Sequence, residues 1–226
     1  MYDAPQRTAR LRRIQQNMLA GPERKALDWL CARMPGWVTP DVLTALGLVG
    51  GFVVLGGYAA SLIDERWLWL CVAGYVLHWF GDSMDGSLAR HRGIERPRYG
   101  YFLDHSCDGV AILCILLGIG LSPYVRLDVA LVALAGYLLL AIHAFLAVKA
   151  VGEMRLSYLA AGPTEMRIVL IALTMAMLVL GDDERRQNAI NGFDWFVGGV
   201  GVILIVLFVI QTISTARVLS RLDRPG

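Results

Sequence analysis

Residues 82–108 read D-S-M-D-G-S-L-A-R-H-R-G-I-E-R-P-R-Y-G-Y-F-L-D-H-S-C-D, and apolar sequence flanks them on both sides: L-W-L-C-V-A-G-Y-V-L-H-W-F before, G-V-A-I-L-C-I-L-L-G-I-G-L after. The run therefore puts four aspartates and an arginine on two stretches that otherwise have the character of membrane helices. An acid inside a bilayer costs several kcal/mol unless it is paired, metal-bound or turned to a cavity. Four of them at helical spacing point to a divalent-cation site facing such a cavity.

The rest of the chain fits that setting. Of its 226 residues, 56% are hydrophobic and 18% charged, which excludes an ordinary soluble domain. The apolar residues fall in blocks of about twenty, the length that crosses a bilayer core. Six spans are expected, near 40–62, 66–90, 98–121, 124–149, 164–181 and 192–216. Before them, P-E-R-K-A-L-D-W-L-C-A-R-M predicts a short amphipathic helix over about 22–34, begun by Pro22 and stopped by Pro35-Gly36. Ala26, Leu27, Trp29, Leu30 and Met34 form its apolar side and Glu23, Arg24, Lys25, Asp28 and Arg33 its polar one, as in a helix lying on a membrane surface. The expected fold is thus an all-α integral membrane protein, a single domain over 1–226 with six spans after a cytoplasmic surface helix.

Of the 21 Lys and Arg residues, all but Arg66, Arg126, Arg185 and Arg186 fall on one side of this layout. The excess of positive residues puts that side, with both termini and the acidic run, in the cytoplasm. The expected location is the inner (cytoplasmic) membrane of a bacterium. The polar, basic start M-Y-D-A-P-Q-R has no signal-peptide character. A net charge of +2 gives no reason to expect a nucleic-acid partner. The four cysteines form no C-x-x-C pair and are expected to be unbridged packing residues.

Spacing sharpens the acidic run. Asp82 and Asp85 are i, i+3; Gly100, Asp104 and Asp108 are i, i+4, i+8. Each set occupies one helix face. Consecutive helices joined by a short basic loop are antiparallel neighbours, so the stripes meet near the cytoplasmic end, with Asp82 about 12 Å below Arg90. Hard cations such as Mg²⁺, Mn²⁺ and Ca²⁺ take oxygen ligands, and clustered carboxylates repel one another until cations neutralise them. Two ions suit phosphate chemistry. Gly86 and Gly100 either admit a ligand to the backbone or serve close helix packing. Arg90 either grips phosphate or snorkels to the interface.

D-x-x-D-G-x-x-A-R followed by G-x-x-x-D-x-x-x-D resembles the signature of the CDP-alcohol phosphotransferases. It is carried here by Asp82, Asp85, Gly86, Ala89, Arg90, Gly100, Asp104 and Asp108. Nine residues separate Arg90 from Gly100, where eight is the commonest family spacing. The resemblance implies that an acceptor hydroxyl attacks the β-phosphorus of a CDP-alcohol and CMP leaves. It further implies that Asp82, Asp85 and Asp104 hold a first Mg²⁺ or Mn²⁺. Asp108 joins a second ion or takes the proton, Gly86 and Ala89 line the nucleotide, and Arg90 holds phosphate. P-D-V-L-T resembles the family's nucleotide-framing Pro-Asn-x-x-Thr: Pro40 and Thr44 match, while Asp41 replaces the usual Asn and needs a partner. Thr39 also suits a helix N-cap before Pro40.

F-L-D-H-S-C-D and G-P-T-E resemble the choline and ethanolamine phosphotransferase branch, whose general base and its glutamate assistant map onto His105 and Glu165. His105 is alternatively a partner of Asp104, and Glu165 a cap of the fifth span. The expected donor is then a CDP-aminoalcohol and the acceptor a lipid alcohol. The alternative is CDP-diacylglycerol with glycerol phosphate, inositol phosphate, inositol or serine, for which Lys149, Arg155 and Arg167 would bind a phosphorylated acceptor or else serve as positive-inside residues. His143, alone in an apolar helix, reads as a packing residue. The family is often homodimeric, and the Gly51–Gly57 run G-F-V-V-L-G-G permits close helix packing. Membrane lipids are the surrounding partners. A cation channel or transporter would also carry intramembrane acids, without needing Gly86, Ala89 and Arg90 beside them.

Overall fold

The computed structural model describes residues 20–151, 162–184 and 190–223, and among these every long element is a helix. In chain order they are α1 (Ala20–Cys31), α2 (Pro40–Ala60), α3 (Leu68–His91), α4 (Pro97–Leu121), α5 (Leu127–Val151), α6 (Pro163–Glu184) and α7 (Gly192–Leu222), with a 3₁₀ turn at Glu65–Trp67 leading into α3. The protein is an all-α integral membrane protein. Five of these helices, α2, α4, α5, α6 and α7, are long and apolar enough to cross a membrane. α3, at 24 residues, is long enough but carries His78, Asp82, Asp85, Arg90 and His91. Arg155, Arg185 and Arg186 and the basic stretch before Ala20 lie outside the described residues.

The helix starts follow local chemistry. Thr39 caps α2, its hydroxyl accepting the Val42 N–H at 3.3 Å, and Pro40 occupies the first helical position, where no N–H is needed. Pro97 does the same for α4. Asn191 and Asp194 cap α7 reciprocally, and Asp194 also accepts the Arg126 N–H at 2.8 Å, tying the α4–α5 loop to α7.

α2 and α3 run antiparallel in close contact because glycines remove the side chains between them. Gly57 faces Cys71, Val54 faces Gly74, Gly50 faces His78 and Gly47 faces Gly81, each step advancing one turn on both helices in opposite directions. A Cβ at Gly50 would come within 2.5 Å of the His78 backbone nitrogen. Gly51, on another side of α2, meets Ala111 of α4. Gly50, Gly51 and Gly57 are therefore occupied in packing the chain on itself. Because α3 follows α2 along its whole length, the carboxylates of α3 end beside the start of α2.

The apolar core fills the half of the bundle away from those acids. Tyr58, Tyr75, Ile119 and Met177 are sealed there. Three polar groups inside it satisfy one another: the Tyr58 hydroxyl lies 2.6 Å from Thr174 Oγ1 and 3.2 Å from the Tyr75 hydroxyl. A second cluster joins α1 to α3, with Leu27 and Cys31 against Met84 and Leu88. The polar side of α1 differs from the sequence expectation at one residue. Glu23 turns inward, and its Oε1 accepts Trp79 Nε1 at 3.0 Å, Ser83 Oγ at 3.2 Å and Thr164 Oγ1 at 2.7 Å. Trp29 points away and is exposed, with the Arg33 guanidinium stacked over its ring.

Candidate active site

The start of α2, the last turns of α3 and the first turns of α4 enclose a cleft of about 200 Å³, counting its open mouth. α2 supplies Thr44, Gly47 and Leu48; α3 supplies His78, Asp82 and Asp85; α4 supplies Asp104, Cys107 and Asp108. All four aspartates singled out by spacing line this one space. Gly47 makes the arrangement possible: a Cβ there would stand 3.1 Å from the Asp82 backbone nitrogen, so α3 could not come as near with a larger residue.

On α3 each acid has partners from other parts of the chain. Asp85 is buried; Thr44 Oγ1 donates to its Oδ2 at 2.6 Å and the Gly86 N–H to its Oδ1. Asp82 is ion-paired with Arg167, which reaches in from α6 and is itself buried. His78 stands one turn deeper than Asp82 on the same face. Its Nδ1 lies 3.0 Å from the Gly47 carbonyl and its Nε2 lies 3.4 Å from Arg167 Nη2. A carbonyl oxygen only accepts and a guanidinium only donates, so these two contacts fix the neutral tautomer with the proton on Nδ1.

On α4 a histidine stands beside both acids. His105 Nδ1 is 3.5 Å from Asp104 Oδ2 and 3.8 Å from Asp108 Oδ2. One ligand atom from each of Asp104, His105 and Asp108 fits within 4.8 Å of the others. The imidazole sits between Tyr101 and Phe145, with ring centroids 4.3 and 5.2 Å away. Its Nε2 is buried and bonds nothing among the described residues.

Other residues marked by the sequence fall around the cleft. Arg90, exposed, folds back over Gly86 and donates to Ser87 Oγ at 3.1 Å. Ala89 and Pro40 are half-buried, and Gly100 is exposed with open space where a side chain would stand. Asp41 does have a partner, Arg96 of the α3–α4 loop. That loop turns at Gly93, whose φ of +65° suits glycine, and Arg92 fastens it to the carbonyls of Met34, Pro35 and Val38. Glu165 accepts the Gly162 N–H at 3.0 Å, a capping contact at the start of α6. His143 is buried between α5 and α7, its Nδ1 3.4 Å from Thr212 Oγ1. Lys149 is exposed at the end of α5. All four cysteines are unbridged.

His78 in the cleft and Arg167 beside it were not legible as such. His78 stands four residues before Asp82, so a shared helix face was its one available signal. Arg167 was visible as a cation on the right side of the membrane, but its pairing with Asp82 depends on how α6 packs against α3.

The donor set fits a hard divalent cation, since four carboxylates and the Thr44 hydroxyl present oxygen ligands to one space. The tighter Asp104–His105–Asp108 cluster adds an imidazole, which suits Mn²⁺ better than Mg²⁺. The two sets share Asp104 and Asp108, and we favour the carboxylate set because it lines the cleft as a whole.

Fold and site together define an integral membrane protein whose helices gather acids around a cleft at one end of the bundle. Residues 37–216 match the family model for CDP-alcohol phosphatidyltransferase, and the chain belongs to that family. The family is generally dependent on divalent metals. The chain is 29% identical to cholinephosphotransferase 1 of Bos taurus over 137 residues, 54% of this chain and 33% of the relative. It is 28% identical to cholinephosphotransferase 1 of Homo sapiens over 132 residues, 52% of this chain and 32% of the relative. It is 34% identical to phosphatidylinositol phosphate synthase of Cutibacterium acnes (strain DSM 16379 / KPA171202) over 84 residues, 37% of this chain and 38% of the relative. The matched region thus spans about a third of the length of each of these relatives.

Proposed function

We propose that this protein makes phospholipid by transferring a substituted phosphate group from a CDP-alcohol to an acceptor hydroxyl, with release of CMP. The observation that carries this is the convergence of Asp82, Asp85, Asp104 and Asp108 on one cleft in a chain of this family. The acceptor oxygen forms a bond to the β-phosphorus, the bond from that phosphorus to the bridging oxygen breaks, and CMP departs with the electron pair. Mg²⁺ or Mn²⁺, as one or two ions, would supply charge neutralisation on the diphosphate oxygens.

The chain's own residues do the rest. Asp82, Asp85 and Asp104 hold the first ion, and Thr44 keeps Asp85 in position through its hydroxyl. Asp108 serves a second ion or accepts the proton of the attacking hydroxyl. His105, beside both α4 acids with Nε2 unbonded, is the other candidate base, with Glu165 at the head of α6 as its assistant. Pro40, Gly86, Ala89 and Gly100 leave room for the nucleotide, and Arg90 binds phosphate. α3 serves as a sixth span beside α2. One domain, a cytoplasmic cleft with both termini on that side, a bacterial inner-membrane location and a homodimer complete the proposal.

The cholinephosphotransferase relatives favour a CDP-aminoalcohol donor and a lipid alcohol acceptor. The Cutibacterium acnes relative and the buried Arg167 beside the acids favour the second reading, CDP-diacylglycerol with a phosphorylated acceptor. A mass-spectrometric screen of the purified protein decides between them, with CDP-choline, CDP-ethanolamine and CDP-diacylglycerol each offered diacylglycerol, glycerol phosphate, inositol phosphate, inositol and serine. The first reading expects CMP and a new phosphodiester from a CDP-aminoalcohol with diacylglycerol, stopped by EDTA and restored by Mg²⁺ or Mn²⁺. Product from CDP-diacylglycerol alone would establish the second, and no CMP from any pair would overturn both.

A further inference from the structure

We propose that Arg167, held in place by His78, is a built-in counter-ion for Asp82 that competes with a divalent cation for that carboxylate. The inference rests on the reading of the cleft as a cation site and adds two positioning residues to it. Asp82 is a ligand in that reading, yet its Oδ2 is taken up by the Arg167 guanidinium. A guanidinium and a metal ion on one carboxylate repel each other and divide its lone pairs, so each weakens the other's hold.

The pairing is built to be held and also to be released. Arg167 and His78 are both buried. His78 donates from Nδ1 to the Gly47 carbonyl at 3.0 Å, which leaves Nε2 to accept from Arg167 Nη2 at 3.4 Å. The two hydrogens on Nη2 therefore serve His78 and Asp82, one each. Nη1 is buried and bonds nothing among the described residues. The guanidinium thus grips through one nitrogen rather than as a two-pronged fork, which is the weaker geometry for an Arg–carboxylate pair. In a cleft with four acids, one fixed positive charge also relieves carboxylate repulsion before any ion arrives.

The test is Mn²⁺ affinity without substrate, read from the electron paramagnetic resonance of free Mn²⁺. The full chain is placed in phosphatidylcholine nanodiscs, whose lipid has no net charge to hold the ion. Arg167→Gln removes both the competitor for Asp82 and a repelling charge, so Mn²⁺ should bind about ten-fold more tightly, the worth of one charge-assisted hydrogen bond. His78→Ala should shift affinity the same way by less, and should add nothing in the Arg167→Gln background, because His78 acts through Arg167. Arg167→Lys, which keeps the charge, should stay near wild type. Unchanged or weaker binding in Arg167→Gln overturns the inference. Should that variant lose its monodisperse elution, His78→Ala decides, and unchanged affinity there overturns it. Asp85→Asn separates the two layers. If it binds Mn²⁺ as tightly as wild type, the cation-site reading falls. If it binds weakly while Arg167→Gln gains nothing, that reading stands and the counter-ion fails.

Discussion

The two acidic walls of the cleft are built differently. On α3, Asp85 is held by Thr44 of α2 and by the backbone at Gly86, and Asp82 by Arg167 of α6. On α4, His105 of the same helix stands 3.5 Å from Asp104 and 3.8 Å from Asp108, and Asp108 also meets Asp82 of α3. The α3 acids are therefore gripped by short contacts from α2 and α6, while the histidine beside the α4 acids stands at longer range. Short contacts between helices suit a permanent ion seat, and a histidine at longer range suits a group that must follow substrate and proton. Under the proposed function, this difference would assign Asp85 the most static role and His105 and Asp108 the most chemical ones.

Breaking the α3 wall should have the largest effect. Gly50→Leu would drive a side chain into the backbone of His78 and separate α3 from α2. It should cost about 3 kcal/mol or more, seen as a large drop in the thermal unfolding midpoint in detergent and loss of all turnover. Asp85→Asn should leave that midpoint nearly unchanged while CMP release falls about 10³-fold; substantial residual turnover would count against ligation by Asp85. His105→Ala probes the other wall. If it is the base, CMP release should drop about 10²-fold with CMP binding, measured by calorimetry, unaltered; an unchanged rate would leave Asp108 as the proton acceptor. Thr44→Val sharpens the comparison on a smaller scale, since it keeps shape and removes the hydroxyl that holds Asp85. Turnover should fall about ten-fold and the Mg²⁺ requirement should rise. Asp41→Ala breaks an exposed pair with Arg96 outside both walls, and should change stability by less than about 1 kcal/mol.

Much of this arrangement was readable before any coordinates. The apolar blocks marked where the helices run, with α3 the case in which polar residues dilute the signal. The i, i+3 and i, i+4 spacings of the aspartates placed each pair on one face, and the short loop between them made the faces meet. Asp41 was recognised as needing a partner, and Arg96 supplies it. What stayed hidden depends on packing between distant segments. Glu23 reads as a solvent residue on an amphipathic helix, yet three donors from α3 and α6 turn it inward. Arg167 and His78 meet only because glycines bring α3 against α2 while α6 lies on α3's other flank. In the Gly51–Gly57 run, expected to permit close helix packing, Gly51 and Gly57 pack against α4 and α3 and Gly56 faces open space.

The central claim is that the acids of α3 and α4 seat one cation site between them. Anomalous diffraction from crystals grown with Mn²⁺ tests it most directly. The account predicts a peak in the cleft roughly 2.2 Å from carboxylate oxygens of both helices, Asp85 included. A Mn²⁺ peak bound elsewhere, with no ion between Asp85 and Asp104, would contradict it.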